Sequence, residues 1–456
     1  MQLVAYGAQD IYLTGNPQIT FFKIVYRRHT NFAIESIEQT FNGNPDFGKK
    51  VTCNISRNGD LISRIYLRVE LPTISVAPGK AFRWVNWLGH VLIKSVEIEI
   101  GGQRIDKHCG EWLHVWNELT QTSGRALGYA NMVGNDSDLT KLYANRSNAT
   151  TNLIVPGTVL YIPLQFWFCT NPGLALPLIA LQYHEVKINL EMRDWRELSW
   201  VGTVDVAGNA TVDPQYSGFS PSISQASLYI DYYFLDTEER KRFAQVSHEY
   251  LITQLQWVDE SSTISNPKIK LVFNHPCKEL IFMAQRDDVA SNTVVENSSR
   301  VELYGGQSYN FTDAQEENPY IPAGDLTVAS GTGGYGETVY QNTVAGDNMI
   351  TQAKLQLNGH DRFSPIRDGR FFNLVQPYQH HQNIPSRGIN VYSFALKPEE
   401  HQPSGSCNMS RIDTAMLEIK LSNKTSSNKV TRIKIYTVNY NVLRIMSGMG
   451  GLAYSN

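Results

Sequence analysis

Residues 357–413 read LNGHDRFSPIRDGRFFNLVQPYQHHQNIPSRGINVYSFALKPEEHQPSGSCNMSRID. The stretch leaves a strand and turns at once on Asn358-Gly359. Those two residues tolerate the positive φ that a two-residue hairpin turn requires. A polar loop follows, then a short apolar strand over 389–396, then a loop rich in Pro and Gly. Just beyond it, residues 416–421 (MLEIKL) alternate apolar and polar. A period of two marks a strand with one buried face. No catalytic signature interrupts the stretch. Short strands between long polar loops predict an all-β fold.

The first half carries the same landmarks in the same order. Residues 51–55 predict a short strand, and Asn58-Gly59 predicts a tight hairpin turn. Over 64–71, Ile65, Leu67, Val69 and Leu71 share one face, with Arg64, Tyr66, Arg68 and Glu70 on the other. Residues 96–100 form a strand that turns on Gly101-Gly102, as the strand before Asn358-Gly359 does. A constant offset of 231 pairs Tyr161 with Tyr392, Pro172 with Pro403 and the strand 186–190 with 417–421. Strands ending near 234 and 445 close the two halves. Four landmarks in one order predict two copies of one antiparallel sandwich, with jelly rolls as the long-loop version. Between the copies, Asp236-Thr237-Glu238-Glu239 predicts a capped linker helix to about Val246. In the first half, 111–119 is the one helical pattern read, with Trp112, Trp116 and Leu119 at i, i+4 and i+7. Residues 121–156, 201–224 and 312–350 read as long polar loops.

Composition limits the function. Charged residues make up 18% of the 456, hydrophobic residues 42%, and the formal net charge is −3. Nucleic-acid affinity comes largely from neutralising phosphates, and no basic stripe supplies that here, so no direct nucleic-acid partner is expected. No run of about 18 apolar residues occurs, so no membrane-spanning helix is expected. The five cysteines, at 53, 109, 169, 277 and 407, are odd in number and unpaired in spacing. They predict reduced thiols, not a disulfide framework or zinc site.

Candidate chemistry is sparse. Residues 43–50 approach a phosphate-binding loop, but Lys50 stands where Ser or Thr is needed, and a strand pattern follows. His184-Glu185 and His248-Glu249 begin a zinc-protease pattern and then show Ile188 and Ile252 where the second histidine belongs. His108, Cys109, Glu111 and His114 are close enough in sequence to be weighed as metal ligands. So are His360, His380, His381 and His401, for which hydrogen bonding to backbone is the favoured reading. No catalytic residue, cofactor or metal is therefore expected. Nine Asn-x-Ser/Thr triplets occur; Asn145, Asn148, Asn297 and Asn310 stand as weak glycan-acceptor candidates.

The run Val391-Tyr392-Ser393-Phe394-Ala395-Leu396, the segment from Gln402 to Asn408 and Ser410-Arg411-Ile412-Asp413 closely resemble the second jelly roll of a viral family. That family is the major capsid proteins of large icosahedral nucleocytoplasmic double-stranded DNA viruses. The resemblance extends to the opening (Gly7 to Asp10, Thr14 to Lys23) and the ending (Gly448 to Tyr454), nearly the whole chain. It implies two tandem eight-stranded antiparallel jelly-roll sandwiches with a few short helices. It also implies a structural, non-enzymatic subunit of a virion shell, assembled in the host cytoplasm. Its partners would be further copies of itself, as homotrimers and neighbouring capsomers, and minor capsid proteins below, with an internal viral membrane beneath them. The expected divisions are an arm at 1–25, a first jelly roll at 26–236, a linker helix at 237–246, a second jelly roll at 247–445 and a tail at 446–456. Within the arm, 1–15 is expected to serve attachment and 19–25 to belong to the fold. The alternative is a carbohydrate-binding or glycan-processing double jelly roll, which requires two carboxylates converging on one cleft.

Overall fold

A computed structural model describes residues 7–206, 210–213, 218–290, 307–313, 346–363, 366–422 and 430–455. Among these residues, each half of the chain contributes eight principal strands, numbered here in chain order. The first half holds β1 (Phe32–Thr40), β2 (Lys50–Asn54), β3 (Leu61–Glu70), β4 (Ile93–Ile100), β5 (Gln103–His108), β6 (Val159–Pro163), β7 (Val186–Met192) and β8 (Gln225–Leu235). The second holds β9 (His248–Ser262), β10 (Lys268–Leu271), β11 (Pro276–Arg286), β12 (Ile350–Leu357), β13 (His360–Asp361), β14 (Asn390–Ser393), β15 (Ala415–Leu421) and β16 (Thr431–Met446).

The sheets run β1-β8-β3-β6 and β2-β7-β4-β5 in the first half, and β9-β16-β11-β14 and β10-β15-β12-β13 in the second. Adding eight to every label of the first pair reproduces the second. Even the short strand Leu176–Pro177 beside β3 has its counterpart, Cys407–Asn408 beside β11. Both halves are jelly-roll sandwiches, antiparallel throughout.

The alternation read in the sequence places the cores. Ile65, Leu67 and Val69 of β3, Val186, Ile188 and Leu190 of β7, and Leu417, Ile419 and Leu421 of β15 all point inward. Burying each such side chain contributes roughly 1.5–3 kcal/mol. Gly101-Gly102 and Asn358-Gly359 are tight hairpin turns with φ of 58° and 82°, and 50° and 79°. Positive φ at both positions makes the turn twist with the strands it joins.

Asn58-Gly59 is not a hairpin turn. β2 and β3 lie in different sheets, so the chain crosses the sandwich there. Gly59 answers a close approach: a Cβ would lie 2.8 Å from Tyr232 Cβ. The equivalent segment, Asn274-His275-Pro276, also carries the chain between sheets, with His275 at φ 67°. Tyr161 and Tyr392 occupy the corresponding strands β6 and β14 but face opposite ways. Tyr161 points outward beside Tyr229, whereas Tyr392 packs among Phe363, Phe372 and Phe394. A one-residue slip reverses a strand's faces, so the 231 offset identifies the strand and misses the face.

Several helices lie where loops were expected. Ser123–Met132 and Ser137–Thr140 fall within 121–156. The loop after Asn358-Gly359 holds a π-helical turn, Phe371–Val375, running into Gln376–His380. The linker helix spans Thr237–Gln245, where Asp236 accepts a hydrogen bond from the Thr237 N–H at 2.7 Å. The exposed Arg240 reaches the buried Asp60 at 2.9 Å, which ties that helix to the first sandwich.

The arm also departs from expectation. Ile19, Phe21, Phe22, Ile24 and Val25 were expected to pack into the fold, yet all are exposed, Phe22 to 98%. The first strand begins only at Phe32. None of these apolar groups is covered by the described residues of this chain.

Candidate functional site: the junction between the two sandwiches

The helix Gly110–Thr120 follows β5 and leaves its own sandwich to cover the other one. Trp112, Val115 and Leu119 pack against Leu255 of β9, Ile281 and Met283 of β11, Val391 of β14, and Tyr436 and Val438 of β16. These last residues form the outer face of sheet β9-β16-β11-β14, since Ile433 and Ile435 of the same strand point into the core. Trp112 stacks on Trp116 at 5.5 Å and lies 5.6 Å from Tyr436. Large aromatic rings bury more area per residue than any other side chain, which suits them to a joint between rigid bodies.

A buried polar cluster lies within that joint. Glu111 accepts hydrogen bonds from Lys434 Nζ and from the Tyr436 hydroxyl, the latter at 3.2 Å, and Arg193 approaches its other oxygen at 3.8 Å. Burial raises the pKa of the Cys109 thiol and pushes that of the Tyr436 hydroxyl, 3.2 Å away, well above its ordinary value. At the sheet edges, the Leu255 N–H donates to Asp106 Oδ1 at 3.1 Å and Gln254 donates to the Ile105 carbonyl. Asp106 in turn pairs with His108 at 2.9 Å.

The C-terminal tail is a second tie. Met449–Leu452 adds to β16 and lies along the first sandwich. The Tyr183 N–H donates to Gly448 O at 2.9 Å, the Gly450 N–H to His184 Nδ1 at 3.1 Å and the Leu452 N–H to Gln103 Oε1 at 3.3 Å. A Cβ at either Gly448 or Gly450 would sit 2.6 Å from Tyr183 or Leu181 respectively. The glycines let the two backbones approach.

The candidate chemical motifs dissolve into this framework. His108, Cys109 and Glu111 turn to Asp106, Tyr436 and Lys434, while His114 stacks on Tyr309 at 4.2 Å. Complete burial drives the His114 imidazole down to about 3, so it is neutral. His184 serves the tail, and His248 Nε2 lies 2.8 Å from the Phe243 carbonyl. Residues 43–50 lead into β2, with no helix after them. Among the described residues, no three His, Cys, Asp or Glu side chains gather as metal ligands.

His380 meets a backbone carbonyl as expected, Leu396 O at 3.0 Å. His381 does not: it is buried between two carboxylates. Glu279 Oε2 lies 2.9 Å from Nε2 and Glu399 Oε1 lies 2.9 Å from Nδ1. Burial by itself would lower the imidazole pKa, but the two carboxylates outweigh it and raise it to about 9. Sequence spacing gave no sign of this, because Glu279 comes from β11, about a hundred residues away in the chain.

Of the glycan-acceptor candidates, Asn145 is buried, its amide donating to Val76 O and Thr151 O at 2.9 Å. Asn310 is buried, its carbonyl accepting from Thr312. A glycan cannot be accommodated at either without opening the fold. Asn148 is exposed, and Asn297 lies outside the described residues.

Comparison with known proteins places this architecture. Residues 20–236 match the family model described as "Major capsid protein N-terminus", and 239–451 match "Large eukaryotic DNA virus major capsid protein". The major capsid protein of Phaeocystis pouchetii virus is 50% identical, covering 100% of this chain and 99% of its own. That of Pyramimonas orientalis virus is 52% identical with the same coverage. A quasi-atomic model of the PBCV-1 virus capsid superposes with a TM-score of 0.70 at 37% identity, over 96% of this chain and 100% of that one. These relatives are structural proteins, not enzymes. The glycan-processing alternative is thereby set aside.

Proposed function

The chain belongs to the major capsid proteins of large eukaryotic DNA viruses, and we propose that three copies form a capsomer of pseudo-hexagonal outline that tiles an icosahedral face. It is a structural subunit of the virion shell. The observation that carries the trimer is the internal duplication: two sandwiches of one topology, joined by helix, edge and tail. Three such chains supply six nearly equivalent bodies. A subunit of this kind needs stiff walls and no reactive centre. Light scattering on the purified protein, coupled to size exclusion, tests it: the expected mass is three times that of the chain, and a stable monomer refutes it.

The division of labour follows. The arm, 1–25, reaches minor capsid proteins beneath the shell, above an internal membrane; its exposed Phe21, Phe22 and Ile24 support this. The regions 26–236 and 247–445 are the two jelly rolls, 237–246 links them, and 446–456 fastens one to the other. Nucleic acid is not contacted directly, in keeping with the net charge of −3. Assembly takes place in the host cytoplasm. If loops carry glycans, Asn148 is the acceptor favoured among the described residues, since its side chain is exposed.

A further inference from the structure

We propose that Cys277 and Cys407 join in a reversible disulfide when the chain meets an oxidising medium, locking the end of the second sandwich at which the chain crosses between its sheets. The crosslink lies within one chain, so it does not rest on the trimeric reading above.

Register places the two sulfurs together. Cys277 stands at the start of β11, and Cys407 begins the short strand beside it. The antiparallel pairing sets the two residues directly opposite each other. Opposed residues in such a pair lie about 4.5–5.5 Å apart at Cα and share a face. A disulfide requires roughly 4.4–6.8 Å. Both side chains belong to the apolar interior of the second sandwich, Cys277 fully buried and Cys407 half-buried at its rim. The other cysteines stand elsewhere: Cys53 faces Ile188 across β2 and β7, Cys109 meets the Tyr436 hydroxyl, and Cys169 lies in the helical turn Trp167–Thr170.

The duplication supplies the contrast. At the same register of the first sandwich, Ile62 stands opposite Leu176, both buried. Packing there is served by two ordinary apolar side chains; the second copy has two thiols instead. What they would fasten is a pair of crossings. The chain enters β11 from the opposite sheet through Asn274-His275, and it leaves Cys407–Asn408 for β15 through Met409–Arg411. The His275 N–H already donates to Ser410 Oγ at 2.7 Å, and the Met409 N–H to His275 O at 3.1 Å. A covalent bond beside them closes a loop of about 130 residues, and long closed loops restrict the unfolded chain most.

The chemistry is thiol–disulfide exchange with a low-molecular-weight disulfide as oxidant. Cys407, the more accessible thiol, loses its proton to solvent, and its thiolate attacks one sulfur of the oxidant. That displaces one small thiolate and leaves a mixed disulfide. Cys277 then loses its proton, and its thiolate attacks the Cys407 sulfur and displaces the second small thiolate. The two cysteines give up two electrons and two protons; the oxidant takes them and leaves as two thiols. Burial raises the pKa of both cysteine thiols, although Arg362 pulls that of Cys407 back down. The thiolates are therefore scarce and the exchange is slow. A reducing compartment keeps both thiols free, and prolonged contact with an oxidising one closes the bond.

The test treats the full chain, purified in reductant, with oxidised glutathione in mildly alkaline buffer, beside the Cys407→Ser and Cys277→Ala variants. Intact mass, a non-reducing peptide map and the melting temperature are read before and after. The wild type should lose two hydrogens, yield one linked peptide pair holding Cys277 and Cys407, and melt roughly 5–10 °C higher until dithiothreitol reverses the shift. Neither variant should gain the linked pair or the shift. A wild type that stays reduced or carries only glutathione adducts overturns the proposal. So does a link between chains or through any other cysteine. A Cys277–Cys407 link that leaves melting unchanged overturns the lock. None of these readings depends on whether the chain is a trimer, which solution mass decides separately.

Discussion

Replacing His381 by Gln should remove a pH-dependent part of the stability of this capsid subunit. His381 is buried, with Glu279 and Glu399 each 2.9 Å from a ring nitrogen. Its pKa is raised from 6.5 to about 9 in the folded chain. A group bound to a proton more tightly when folded stabilises the fold wherever the unfolded form would be protonated too. The contribution is fully present below pH 6.5 and is lost as pH rises through about 9. A shift of that size corresponds to roughly 3 kcal/mol. Removing one member of a buried charge group generally costs about 3–5 kcal/mol, since the partners stay buried without compensation. The assay is the melting temperature at fixed protein concentration from pH 6 to pH 9.5, for the wild type and His381→Gln. The variant should melt well below the wild type at pH 6, and the two curves should converge towards pH 9.5. A constant gap at every pH would show that His381 is not charged in the fold and would refute the reasoning.

Three further outcomes follow from the packing. Ile419→Asp should destabilise by more than about 4 kcal/mol, because it buries an unpaired charge, while Lys420→Asp on the outward face should stay within about 0.5 kcal/mol; chemical denaturation of both checks the strand face. Trp112→Ala should cost about 3–5 kcal/mol and loosen the joint between the sandwiches. Faster proteolysis within the linker Thr237–Gln245 would report that loosening, and an unchanged digest would contradict the joint. Deleting residues 2–25 should leave the melting of the folded chain unchanged, because residues 11–25 of that arm are all exposed and pack on neither sandwich; a drop of several degrees would place the arm in the fold after all.

Much of this protein was legible from its residues alone, because a strand's burial pattern is local. The inward faces of β3, β7 and β15 follow from alternation, and both Gly-containing hairpin turns follow from the positive φ that few other residues accept. The order of landmarks announced the duplication. What alternation cannot carry is which sheet a strand joins. Asn58-Gly59 looked like a hairpin, and only the tertiary pairing of β2 with β7 and β3 with β8 made it a crossing. The same blindness hid the helix Phe371–Val375, whose outward apolar residues match no core period because they face away from the core. The ion cluster at His381 and the joint at Glu111 each unite residues from distant strands, Glu279 and Lys434. Spacing along a chain fixes neighbours within a strand or helix turn; contacts between sheets and between sandwiches exist only once long-range pairing has folded the chain onto itself.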